Sequence, residues 1–333
     1  MRKISVILII ALGLSSCFKE ADVVMDDSLF TLEIETTSDR NGQIFFDLEN
    51  RTVVAQNSIY NWDMAFDCRE GKFSIILNSA KGMAAYNTRS KRFEKKFEIQ
   101  QYPWRFDHPC GDLNLTCIGE WGDFSFDNPQ SYTEVYLINL GLRGQKTPLG
   151  FRKVQFLKFQ DSSYIFHFAE LNGHNESFDT IRKDPDFNFI YYSFNDGGKI
   201  RRIEPPKDDW DIVLSPYLDE HRELGPFDIS VNKDFAIYDG LMQNRHKHEV
   251  SIDTVRLRDE IGYFDMDNYE WSPYTNLIGN TWNQWSAKDS SYHILKPKTY
   301  LLKNDERYYL INFDSYSKTD QFTSNFRFGV KSL

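Results

Sequence analysis

Cysteine is scarce in this chain, with 4 among 333 residues, and no two of them form a Cys-x-x-Cys pair. Zinc-ribbon and thioredoxin-like readings, which need closely spaced thiolates, are therefore excluded. No run reaches the roughly 18–20 consecutive apolar residues of a membrane-spanning helix. Positive charge is in deficit, since 39 Lys and Arg face 49 Asp and Glu for a formal net charge of −10. A surface of that sign repels a phosphate backbone, so no nucleic-acid partner is expected. The His-Glu-x-x-His, Gly-x-Ser-x-Gly and phosphate-loop patterns are missing. No cysteine carries a nucleophile signature, and carboxylates such as Asp208, Asp209 and Asp211 are too numerous for one catalytic pair to stand out. The expectation is a protein that is not an enzyme and carries no metal centre. What is abundant is aromatic: 27 Phe, 18 Tyr and 7 Trp make up 16% of the chain, a bias towards strands. The length suits one large or two ordinary domains.

Residues 1–17 read as an export signal. Arg2 and Lys3 give a positive start, and Ile4 to Leu14 form an apolar run of 11 residues interrupted only by Ser5. Leu14-Ser15-Ser16-Cys17 then resembles the bacterial lipobox, whose cysteine is acylated and becomes the first mature residue. The alternative is an ordinary thiol beside a conventional cleavage site. Loss of Arg2 and Lys3 with the leader takes the charge two further down, to −12. Two or three acyl chains anchor stably where one does not, so Cys17 implies a membrane-tethered protein of the cell envelope, an outer-membrane lipoprotein. Residues 18–28, with Glu20, Asp22, Asp26 and Asp27, read as a polar tether. This acidic stretch is also similar to the surface-export signals of lipoproteins in the Bacteroidetes, which leaves periplasmic and surface faces both open. Because the envelope is oxidising, Cys110 and Cys117, seven apart in a Gly-, Pro- and Asn-containing stretch, are the expected disulfide, with Cys68 a buried thiol.

From Leu29 onward the pattern predicts a mostly β fold. Trp62, Met64 and Phe66 alternate with Asp63, Ala65 and Asp67. The same period of two runs through Tyr164, Phe166 and Phe168, through Phe227, Ile229 and Val231, and through Tyr309, Ile311 and Phe313. Asn41-Gly42, Asn172-Gly173, Asp196-Gly197-Gly198 and Asp239-Gly240 supply the turns. Residues 89–100 suit a short helix or a loop. His167, opposite the aromatics of its strand, is expected to be exposed.

The chain also repeats. Phe45-Phe46-Asp47-Leu48 leads into Trp62-Asp63-Met64-Ala65-Phe66, and Tyr191-Tyr192-Ser193-Phe194 leads into Trp210-Asp211-Ile212-Val213-Leu214, with the two tryptophans 148 residues apart. Tyr136 to Asn139 before Phe151 to Phe159 has a counterpart in Tyr300 to Lys303 before Arg307 to Tyr316. A period of this length implies a duplicated domain rather than a solenoid. Two related, sandwich-like β halves are expected, residues 29–185 and 186–333, joined near Lys183-Asp184-Pro185. Each Trp-Asp is most simply a core anchor, with the Trp hiding roughly 200 Å² and the Asp taking backbone donors or water on the other face.

These residues resemble a known family. The lipobox, the Phe-Phe-Asp-Leu to Trp-Asp-Met-Ala-Phe segment and Phe73 to Ser79 look like the opening of HmuY-like lipoproteins of the Bacteroidetes. Ile278-Gly279 with Trp282, Tyr300-Leu301-Leu302 and Arg307 to Phe313 are similar to that family's closing strands. The resemblance implies a mostly β fold, an envelope location, haem binding for acquisition, and an outer-membrane transport partner. Family members hold haem axially with two His or two Met, and neither pair aligns onto this chain.

A haem site needs His or Met projecting into an apolar cleft. The residues offer Met242, His246 and His248 in one segment, then His221 and Met83, with Arg245 or Lys247 placed to meet propionates. His246 and His248, two apart, would share a face on a strand. A different binding surface is aromatic: Tyr269, Trp271, Tyr274, Trp282 and Trp285 crowd a segment rich in Asn, Thr and Ser, chemistry suited to a glycan or a protein partner with no haem.

Overall fold

A computed structural model describes residues 22–26, 29–36, 42–98, 101–125, 129–144, 146–305, 307–320 and 323–333. Cys17 and the rest of the leader lie outside the described residues. The chain is mostly β, built from antiparallel sheets. No helix among the described residues is long and apolar enough to cross a membrane.

Four sheets stack as layers. A six-stranded sheet runs in the order Asp22–Asp26, Leu29–Thr36, Ser324–Ser332, Tyr308–Lys318, Thr299–Lys303, Glu249–Asp253. Its inner face, with Phe30, Leu32, Ile311, Phe313 and Phe328, packs on Ile44, Phe46, Ile212 and Leu214 of a five-stranded sheet. That second sheet runs Ile229–Ser230, Phe235–Gln243, Ile212–Glu220, Gly42–Asp47, Thr52–Ser58. The other sandwich pairs a sheet of Lys199–Arg201, Phe189–Ser193, Met64–Asp67 and Ile75–Leu77 with one of Ser177–Arg182, Ser163–Ala169, Phe151–Gln160, Val135–Asn139 and Ala84–Asn87. Met64, Phe66, Tyr136, Phe156, Tyr164 and Phe166 fill its core. The two middle sheets then meet through their remaining faces, around Phe45, Val213, Ala65, Tyr191, Trp62 and Trp210.

This stacking explains a feature that alternation alone misread. The central strands of a middle sheet have no solvent face, so both of their sides are buried: Ala65 and Asp67 are as hidden as Met64 and Phe66. Trp62 does not share the face of Met64 and Phe66. It precedes the strand and turns into the layer between the sandwiches.

The sandwiches are not divided at residue 185. One is formed by residues 64–201 and the other by segments on both sides of it, 22–58 and 212–332. The hairpin containing Phe45 pairs with the Trp210 strand, Phe46 opposite Ile212 and Phe45 opposite Val213. The hairpin containing Tyr191 pairs with the Trp62 strand, Tyr191 opposite Ala65 and Tyr192 opposite Met64. Each Trp-Asp strand thus takes the hairpin that precedes the other one in the chain.

The two Trp-Asp segments make matching contacts. Asp63 N donates to Tyr192 O at 2.7 Å and Asp211 N to Phe46 O at 2.9 Å. The Asp63 carboxylate accepts from Phe194 N at 2.7 Å and from Lys81 Nζ. The Asp211 carboxylate accepts from Leu48 N at 2.6 Å and pairs with Lys247 Nζ at 2.7 Å. Asn78 Nδ2 bridges to Ile59 O and Trp62 O at 2.7 and 3.0 Å, and Asn244 Nδ2 to Lys207 O and Trp210 O at 2.8 and 3.1 Å. Trp62 meets Tyr191 edge-on at 4.8 Å, and Trp210 meets Phe45 in the same way at 4.9 Å. The carboxylates therefore satisfy backbone donors that the crossing of the layers would otherwise strand.

Several local expectations change. Cys68, Cys110 and Cys117 are all free thiols, so the Cys110–Cys117 disulfide is not formed. Cys117 faces the core of the 64–201 sandwich, while Cys110 Sγ accepts from Asp112 N at 3.4 Å within its own loop. Burial pushes the Cys68 thiol up to about 11 and Cys117 well above its usual value, the neighbouring Asp107 adding to the latter. Protonated thiols of this kind react slowly. N-ethylmaleimide is expected to label Cys68 and Cys117 of the folded protein little, and all three thiols once it is unfolded without reductant; mass spectrometry reads the difference. Residues 89–98 form a loop, not a helix. That loop covers His167, whose ring stacks on Phe93 at 3.6 Å and contacts Gln155 Oε1 and Glu176 Oε1, so His167 is buried.

Candidate functional site

A cleft of about 200 Å³ lies between the middle sheets. Phe45, Trp62, Tyr191, Trp210 and Val213 give it apolar walls. Its roof is the loop around residues 107–116, tied down by Asp107, whose carboxylate accepts from Leu77 N and Cys117 N, both at 2.7 Å. Its rim is the turn 244–248 after the strand Phe235–Gln243, held by Asn244. Gly111 in the roof has φ +71°, and a Cβ there would come within 2.6 Å of Thr275 Oγ1 and 3.5 Å of Arg245 Nη1. Glycine at this position lets roof and rim approach.

The polar chemistry of the cleft is unusual. Ten buried side-chain N or O atoms among the described residues have no partner within the protein, and five belong to residues lining this one cavity. They are Asn188 Oδ1, Trp210 Nε1, Gln243 Oε1, Arg245 Nη1 and His246 Nε2. Asn188, Trp210 and Gln243 are 2, 6 and 2% exposed. Each such group costs on the order of 1–3 kcal/mol in desolvation, so a cluster of five points to a partner from outside the chain. Gln243 spends its Nε2 on Pro273 O and Tyr274 O at 3.3 Å, which aims its amide plane and leaves Oε1 over.

The Trp210 donor has a specific origin. Trp62 Nε1 donates to Gln43 Oε1 at 2.7 Å, Gln43 standing two residues before Phe45. Two residues before Tyr191 in the other hairpin stands Phe189, which has no acceptor. The two indoles thus differ: Trp62 Nε1 is satisfied and Trp210 Nε1 is not.

Burial drives the titration behaviour. His246 is held down to about 4 by burial, with the Arg69 and Arg245 cations pushing the same way, so its ring is neutral at pH 7. Burial pushes Glu204, also a lining residue, up to about 8 against the bonds it accepts from Phe189 N at 2.8 Å and Tyr191 Oη at 3.1 Å. The cleft therefore holds one cation, Arg245, a Glu204 that is neutral at pH 7, and the carboxyl groups of Asp107 and Asp112 in the roof. On the far side of Glu204, a cavity of about 590 Å³ bounded by Asp47, Asn57, Arg202 and Pro206 contains none of the partnerless atoms.

The sequence candidates divide. Met242 and His246 both line the cleft. His248 does not share a face with His246, because the turn breaks the strand alternation. It is buried, its Nε2 2.7 Å from Asp211 Oδ1, locked in the Trp-Asp network. Met83 is core of the 64–201 sandwich, and His221 is exposed at the end of the strand Ile212–Glu220. Trp282 is not a surface ring: it stacks on Phe313 at 4.1 Å inside the other sandwich. Tyr269 is engaged by Asp253 and Arg256, Trp271 packs on Tyr308, Trp285 meets Tyr292 edge-on, and Tyr274 is exposed. With Trp282 buried, these five rings do not form a single docking face. The sequence alone does not point to Asn188, Glu204, Trp210 or Gln243 as site residues. The one signal for the Trp210 donor was Phe189 standing where the repeat has Gln43.

A haem fits this cleft poorly. Met242 and His246 have suitable ligand atoms, but both come from one strand and the turn after it. An engineered apolar cavity of about 150 Å³ takes a benzene, so about 200 Å³ suits a single ring, not a tetrapyrrole. Among the described residues no group of three or more His, Cys, Asp or Glu is arranged to hold a metal ion. No family model, curated protein or solved structure matches this chain.

Proposed function

We propose that this is a lipid-anchored protein of the cell envelope that binds a small ligand in the cleft between its two sandwiches, without chemistry. The single observation that carries the reading is the set of five partnerless buried polar atoms around one apolar cavity. Water-excluding walls with a few convergent polar groups are the usual make-up of a small-molecule site. The tether is inferred from residues 1–17: labelled palmitate should enter the protein and fail to enter Cys17→Ser. We read the matching Trp-Asp contacts as the mark of a duplicated unit whose hairpins have exchanged.

Haem is the second reading, favoured by Met242 and His246 lying on the same cleft and by the resemblance to HmuY-like lipoproteins. It requires the sandwiches to part. Titration with hemin separates the two. The small-ligand reading predicts a weak change without saturation. A saturable Soret shift weakened by His246→Ala or Met242→Ala would establish haem, and with it a role in haem acquisition beside an outer-membrane transport partner.

A further inference from the structure

We propose that the cleft recognises a small aromatic amino acid, or a close analogue carrying both an ammonium and a carboxylate on one ring-bearing body. This rests on the reading that the cleft is the ligand site and goes beyond it by assigning the ligand class. The volume, about 200 Å³, sets the body at one ring, and the walls of Trp62, Trp210, Tyr191 and Phe45 suit edge or face contact with it. The free polar atoms then sort by sign. Trp210 Nε1 and Arg245 Nη1 are donors, and Arg245 is the cleft's cation; together they match a carboxylate. Asn188 Oδ1 and Gln243 Oε1 are acceptors fixed by their own amides, since Asn188 Nδ2 reaches Asn244 Oδ1 at 3.3 Å and Gln243 Nε2 is spent on backbone. They match an ammonium or another N–H donor. The neutral His246 ring adds no charge, and the Asp112 carboxyl in the roof, beside Arg245, is a further acceptor for an ammonium. A purely apolar ligand would leave all five atoms unpaired, and a simple anion would leave the two amide oxygens so.

The discrimination follows from the rule that a site built to hydrogen-bond a group rejects the analogue lacking it, because its own buried partners are left bare. The probes are L-phenylalanine, 3-phenylpropionate (no amine), 2-phenylethylamine (no carboxylate) and toluene, measured by isothermal titration calorimetry on the purified protein. L-Phenylalanine is expected to bind at least tenfold more tightly than each of the other three. Arg245→Met should bring L-phenylalanine down to the affinity of 2-phenylethylamine without weakening that amine, whose ammonium the Arg245 cation does not favour. Phe189→Gln, which gives Trp210 the acceptor that Gln43 gives Trp62, should weaken L-phenylalanine and 3-phenylpropionate alike; thermal melting confirms that each variant is folded. If toluene or either single-group analogue binds as well as L-phenylalanine, the ligand class is wrong while the cleft remains a site. If none of the four binds, the ligand class is wrong, and a hemin response that His246→Ala weakens would then place haem in the cleft instead.

Discussion

Asp211→Ala is expected to destabilise the protein by about 3–5 kcal/mol, the range for stripping one partner from a buried ion pair. The substitution strands Leu48 N and the His248 ring and takes the counter-charge from Lys247, whose Nζ keeps Asp208 O at 3.0 Å. Two of these belong to the turn that forms the cleft rim, and Leu48 lies in the turn of the hairpin that pairs with the Trp210 strand, so the loss falls on the joint between elements far apart in sequence. Asp63→Ala should behave alike, since Lys81 is 2% exposed and has Asp63 as its counter-charge. Denaturant melts of both variants, with urea or guanidinium, test this. Asp211→Asn, which keeps an acceptor for Leu48 N but loses the charge, should fall between the parent and Asp211→Ala. A loss below about 1 kcal/mol for either alanine variant would mean that the carboxylates are not what fastens the hairpins to their Trp-Asp strands.

Glu204→Gln is expected to change how stability depends on pH. The native carboxyl, raised to about 8, keeps its proton where an unfolded glutamate, near 4.5, has lost it. Between those two values the native state binds more protons than the unfolded state, so stability falls as pH rises, and the loss is complete once pH passes the native value. A shift of this size corresponds to a few kcal/mol. Glutamine removes that dependence while still accepting from Phe189 N. The variant should match the parent near pH 4 and exceed it increasingly from pH 5 to pH 9, read as the difference in melting temperature. His246 works in the opposite sense, being held low at about 4, so its contribution is lost as pH falls from about 6.5. It is common to both proteins and cancels in the difference. Equal melting temperatures for the pair at pH 9 would show that Glu204 is not held protonated by its surroundings.

Much of this was legible in the residues. Period-two runs of Tyr164, Phe166 and Phe168 or Tyr309, Ile311 and Phe313 belong to strands whose large side chains are buried, as the alternation implied. Trp-Asp as core anchor was also readable, because a large ring beside a carboxylate on a strand has few other uses. Period two assigns a face, however, and says nothing about which strand lies alongside. Each hairpin lies nearer in sequence to the Trp-Asp strand it does not pair with, so local order pointed to the wrong neighbour. His248 shares a face with His246 only if a strand runs through residues 246–248, and the turn at 245–247 removes that premise. Trp282 looked superficial among Asn and Thr, yet an indole N–H satisfied by Gly279 O at 2.8 Å sits comfortably in a core. Met242, Arg245 and His246, which the sequence offers as one segment, all line the cleft, while Asn188 and Trp210, which line it too, come from elements that only the layered stacking brings near.

The most direct measurement is a nitrogen-resolved NMR titration of the protein with L-phenylalanine. The account predicts saturable shifts concentrated at the Trp210 indole N–H and the side-chain amides of Asn188 and Gln243, with the Trp62 indole, already bonded to Gln43, much less affected. Saturable shifts confined to the Tyr274 and Trp271 region, or no saturable shift at the cleft with L-phenylalanine or hemin, would contradict a ligand site between the sandwiches.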